Sequence, residues 1–161
     1  MTFLLRSTIV VLGTALAAPM CLAQALQTHR IPAALAAEAA SEAVAACAKQ
    51  GYRETAVVLD ADGATIAALR GDGAGVHTLA SAHDKAYTAA SFKRDTLALA
   101  ERKAEIGDLA KLPHVLFFGG GVTIKLGDEV IGAIGAAGAP GAKLDDACAH
   151  AGLAKLQDRL K

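Results

Sequence analysis

Aromatic residues make up only 4% of this 161-residue chain, against 53% hydrophobic residues in all, so its apolar surface is almost entirely Ala, Val, Leu and Ile. Side chains this small let helix and sheet backbones approach closely, and Ala loses no rotamer entropy when it is ordered. Charge of one sign is also missing: 16 Lys and Arg stand against 16 Asp and Glu. Without a basic stripe or interleaved aromatics, nucleic acid is excluded as a partner. No apolar run reaches the roughly 20 residues that cross a bilayer. There is no repeat with a period of 20 to 50 residues, no Ser, His and Asp arrangement of a nucleophile elbow, and no His pair at zinc-site spacing.

The N-terminus carries a positive pattern. A short basic start ending at Arg6, an apolar run over 7–18 and a small-residue segment after it follow the plan of a secretion signal. Cleavage is expected after Ala23 or after Ala25. Cys21 is a poor lipidation site, because Met20 precedes it where a small residue is needed. The reading is therefore a signal peptide over 1–23 and one domain over 24–161, periplasmic or secreted, with no membrane partner after cleavage. Losing Arg6 leaves a net charge of −1, and two cysteines remain, Cys47 and Cys148.

Along the domain, Pro32 suits a first helical turn, 33–50 is Ala-rich and Gly51 stops it. Strands are predicted at 54–59 and 64–70 around an Asp60-Ala61-Asp62-Gly63 turn. Helices follow at 78–92 and 96–106, strands at 116–118, 122–126 and 130–137, and a helix at 144–160. Short connections make neighbouring strands antiparallel. The expected fold is α+β, a single sheet of about five antiparallel strands sandwiched between helices, in the order α-β-β-α-α-β-β-β-α.

Few residues point to chemistry. Gly71-x-Gly73 lies between a strand and a helix, but Val76 occupies the third glycine position and the strand belongs to a hairpin, against a dinucleotide fingerprint. His77 and His83 flank this glycine loop. Six residues apart on a helix, they fall on different faces and cannot clamp one metal together, although either could touch a ligand. Lys85 could present its ammonium at the rim of a pocket, with Thr88 one turn on. Gly119-Gly120-Gly121 and Gly132, Gly135 and Gly138 would weaken strands unless a helix or a ligand needs the space.

Taken together, Val57-Val58-Leu59-Asp60-x-x-Gly63, Arg70-x-Asp72-Gly73-Ala74, Lys85-Ala86-Tyr87-Thr88-Ala89-x-x-Phe92, Gly119-Gly120-Gly121-Val122-x-Ile124, Ile131-Gly132-Ala133-Ile134-Gly135 and Leu144-Asp145-x-Ala147-Cys148 resemble the GlcG/HbpS-like family. The resemblance spans nearly all of the domain. It implies an antiparallel sheet sandwiched by helices, homo-oligomers and, for some members, haem or a related tetrapyrrole as ligand. Two departures stand out: Thr123 where the family commonly has Pro, and Ala136-Ala137 where it has Val-Ser.

The leading expectation is an exported haem-binding protein, with His77 or His83 as the iron ligand and Arg70, Lys85, Thr88, Gly120 and Gly121 around the site. A haem iron commonly takes an imidazole, and few rings are available to enclose the macrocycle, which favours a surface site. A second expectation is an enzyme or sensor for a small organic acid or aldehyde, held by Arg70 and Lys85. A third is an assembly module without a ligand. In this architecture Cys47 and Cys148 sit on the terminal helices, and they can pair only if their Cα atoms come within about 7 Å.

Overall fold

The computed structural model describes residues 27–160. The signal segment expected over 1–23, Cys21 and both cleavage positions lie outside the described residues.

Elements follow in the order α1 (Ala33–Ala48), β1 (Thr55–Asp60), β2 (Thr65–Arg70), α2 (Thr78–Phe92), α3 (Thr96–Ala100), α4 (Lys103–Ile106), a 3-10 turn (Gly107–Lys111), β3 (Gly121–Leu126), β4 (Glu129–Ala137) and α5 (Ala142–Gln157). The strands form one antiparallel sheet in the order β2-β1-β4-β3. It has four strands where about five were expected. The apolar triplet Leu116-Phe117-Phe118 forms no strand among the described residues. The Leu116 N–H is taken instead by the Thr88 hydroxyl, 2.7 Å away, so that segment is tied to a helix. The helix expected over 96–106 is also shorter and broken, with Glu101 and Arg102 in a turn between α3 and α4.

Alternation along the central strands sends side chains to opposite faces. Ala56 and Val58 of β1 join Ile134 and Ala136 of β4 in one cluster with Leu35, Ala39, Ala43 and Cys47 of α1 and Cys148, Ala149 and Leu156 of α5. On the opposite face, Val57, Leu59, Ala133 and Ala137 meet Ala82, Ala86, Ala89 and Ala90 of α2. The helices thus sandwich the sheet, with α1 and α5 on one side and α2 on the other.

Cys47 and Cys148 are joined, with Cα atoms 5.6 Å apart. The bridge links two helices 101 residues apart in sequence. A loop of that length implies about 4–5 kcal/mol in the chain-entropy account.

The glycines that the sequence left unassigned admit α2. A Cβ on Gly135 would lie 1.9 Å from the Ala82 carbonyl oxygen, and one on Gly121 would lie 2.2 Å from the Lys85 carbonyl oxygen. Backbone meets backbone there, which only glycine permits.

Candidate functional site

Where β4 ends and α5 begins, α2 delivers Lys85 into the protein interior. Its ammonium, on a residue only 4% exposed, donates to Asp145 Oδ2 at 2.6 Å and to the Ala136 carbonyl oxygen at 3.0 Å. The other Asp145 oxygen accepts the Ala139 N–H at 2.9 Å. Gly120, with φ of +115°, closes over this pair; a Cβ there would lie 2.6 Å from the Ala136 carbonyl oxygen and 3.1 Å from Lys85 Nζ. A side chain at Gly120 would be excluded both by its backbone conformation and by the cluster beneath it.

Glu54, 1% exposed, completes the cluster. Neither of its carboxyl oxygens has a hydrogen-bond partner among the described residues, since a carboxylate facing another carboxylate can only accept. A proton on Glu54 turns their contact into a hydrogen bond. Burial first, and then the Asp145 charge and that hydrogen bond, push the Glu54 carboxyl up from 4.5 to about 8, against the pull of Lys85. Burial also raises the Asp146 carboxyl, opposed by His150 and by the Gly120 N–H, which donates to Asp146 Oδ1 at 3.2 Å.

Lys85 and Asp145 form one wall of a cavity of about 310 Å³ that His77, Ser81, Leu116 and Phe118 also line. His77 is exposed at its mouth. Beside it the apolar surface is unusually open: Val76 is 83% and Phe118 57% exposed. Exposed apolar residues grouped around a cavity mark a binding surface more often than those scattered singly do. Ala137 lines the same cavity, so the hydroxyl that the family's Ser would bring is missing from this wall.

Of the residues expected around a ligand, His77 and Lys85 meet at this cavity, and Gly120 backs it. Gly121 serves packing: its N–H donates to Thr96 Oγ1 at 2.8 Å. Thr88 is buried and fastens the segment before β3, accepting from Leu116 and donating to the Asp84 carbonyl oxygen at 2.7 Å. Arg70 lies elsewhere. It donates to the Ala74 carbonyl oxygen and lines a separate cavity with Glu54 and Asp72. Arg70 and Lys85 therefore do not converge on one anion.

His83 faces a third cavity, of about 490 Å³, shared with Val57, Leu79, Asp84 and His114. Asp145 and Glu54 were missed as site residues by sequence reasoning. Asp145 stood in a recognised motif on the helix that carries Cys148, but nothing in its spacing paired it with a lysine 60 positions earlier.

Thr123 also takes a role that the usual proline could not. Its N–H and hydroxyl both donate to Asp95 Oδ1 at 2.8 Å, and proline has no N–H to give.

The fold and this site place the chain in a defined class. The family described as haem degrading protein HbpS-like matches residues 31–154, and the chain belongs to that family. It is 38% identical to a double mutant of Streptomyces reticuli HbpS, with a TM-score of 0.80 over 87% of this chain and 97% of that one. ORFY of Klebsiella pneumoniae is 25% identical, with a TM-score of 0.77 over 87% of this chain and 98% of that one. A PduOC:haem complex shares the fold at 24% identity, with a TM-score of 0.68 over 73% of this chain and 88% of that one. No curated protein matches the chain.

Proposed function

We propose that this protein is an exported tetrapyrrole-binding protein that binds, stores or protects haem. The observation that carries the reading is the exposed His77 at the mouth of the cavity walled by Leu116 and Phe118, flanked by the open Val76 side chain. An apolar surface with one free imidazole is the donor set that a haem takes. His77 would hold the iron, and Val76 and Phe118 would lie against the macrocycle. Bound haem iron supplies redox and small-ligand chemistry.

Further support comes from family membership and from the likeness to Streptomyces reticuli HbpS at 38% identity. The aromatic residues fit a surface site better than a deep one. Phe92 and Phe117 pack edge-on against each other at 5.2 Å, which leaves Phe118 to the cavity. Export rests on the basic-apolar-small pattern of the N-terminus and on the Cys47–Cys148 bridge, which oxidising compartments preserve. Breakdown of haem needs a supply of electrons that such a compartment offers less freely than the cytoplasm does, so binding is favoured over turnover. Assembly into homo-oligomers belongs to the same proposal, and light scattering on the purified protein checks it.

Titrating the protein with hemin tests the ligand. We expect a Soret shift at micromolar protein, lost in His77→Ala and kept in His83→Ala. No shift, or one that survives His77→Ala, would overturn the assignment.

A further inference from the structure

The side chains around the 490 Å³ cavity suggest a second kind of chemistry, away from Lys85. His83 and Asp84 are neighbours near the middle of α2, while His114 comes from the segment before β3. The Thr88 hydroxyl brings them together, since it holds the Leu116 N–H against α2 two residues past His114. His114 itself has φ of +61°, a region that non-glycine residues enter at a cost and that is enriched at functional positions.

The three side chains each offer one ligand atom, and these atoms lie within 4.8 Å of one another. Asp84 Oδ1 is 3.1 Å from His83 Nδ1 and 3.3 Å from His114 Nδ1. Ligand atoms bound to one ion at roughly 2.0–2.2 Å are separated by about 2.8–3.6 Å along the edges of an octahedron or a tetrahedron. The two measured separations fall in that range. Both imidazoles also converge on one carboxylate oxygen, although a second, Oδ2, is available on the same group.

We infer that His83, Asp84 and His114 bind a divalent transition-metal ion of the zinc or ferrous class. Two imidazoles and one carboxylate select such borderline ions over calcium or magnesium, which favour all-oxygen sites. The Tyr87 ring stands beside both imidazoles, with centroids 6.1 Å from His83 and 6.4 Å from His114, and it limits how far either can turn away. Three protein ligands leave the remaining coordination positions open towards the cavity, where Val57 and Leu79 supply an apolar wall. Water or a small anion would complete the sphere. The site uses no part of the His77 surface and stands independently of the haem reading.

Calorimetric titration of the purified, hemin-free protein with zinc chloride is the test, with cobalt absorption spectra to report the coordination. One ion per chain is expected, with affinity in the micromolar range or tighter. Asp84→Asn and His114→Ala should each weaken binding tenfold or more, while His77→Ala leaves it unchanged. His114 is exposed, so its removal leaves the fold intact, and circular dichroism checks that each variant is native. The inference is overturned if folded protein takes up no zinc at submillimolar concentration, or if the two variants bind as tightly as the parent. Hemin titration of Asp84→Asn separates the proposals: a retained Soret shift with lost zinc binding shows that the two sites fail or stand separately.

Discussion

The two faces of the sheet are built on opposite plans. Under α1 and α5 lies a broad apolar cluster with branched side chains at Leu35, Val58, Ile134 and Leu156, closed by a covalent bridge. Under α2 the helix contributes only alanines to the buried apolar cluster, and its other buried side chains, Thr78, Lys85 and Thr88, are polar, with Lys85 paired with Asp145. The first face is held by hydrophobic burial and a cross-link. The second is held by close backbone contact and a buried charge cluster, and it carries both cavities that border the candidate ligand sites. Stability is thus concentrated on one side of the sheet and polar chemistry on the other.

The largest expected effect is on the stable face. Replacing Cys47 and Cys148 together by Ala should cost about 4–5 kcal/mol. Urea unfolding of the variant, compared with the parent with and without reductant, measures this; a parent insensitive to reductant would break the contrast between the faces.

On the α2 face, Lys85→Met should cost about 3–5 kcal/mol, because it leaves Asp145 buried without its cation. Adding Asp145→Leu should recover much of the loss, since removing both charges also removes the desolvation penalty. If the single variant unfolds at the parent's midpoint, the ion pair does not hold this face.

The smallest effect depends on pH. With its carboxyl raised from 4.5 to about 8, Glu54 keeps a proton in the folded protein that the unfolded chain gives up. The native state then binds more protons across that window, so the Glu54 contribution is fully present below pH 4.5 and is lost as pH rises through about 8. Glu54→Gln should therefore flatten the fall in Tm between pH 5 and 8.5. At the alkaline end it should stabilise the protein by about 1–3 kcal/mol, the usual cost of a buried polar group left unsatisfied. Identical pH profiles for variant and parent would remove Glu54 from the cluster's energetics.

Much of the fold was legible because it rests on local signals. Pro32 and the alanines after it specified α1, and the Asp60–Gly63 turn specified the β1–β2 hairpin. The strand expected at 116–118 failed for a nonlocal reason: its leading N–H found the Thr88 hydroxyl on α2 rather than a neighbouring strand. The site was legible in part. His77, Lys85 and Gly120 were singled out and do lie around one cavity, whereas Arg70 turned to another and Thr88 became a fastener.

By itself, the sequence determined the family, the order of most elements and the small-residue character of the core, since these follow from local periodicity and from motifs in fixed order along the chain. The tertiary structure decided which side chains meet. Cys47 found Cys148, Lys85 found Asp145, and Asp84 came within reach of His114, each across 30 residues or more. The physical reason is that such contacts depend on how closely the layers pack. That distance was set by glycines such as Gly120, Gly121 and Gly135, whose missing side chains the sequence displayed without revealing what would fill the space.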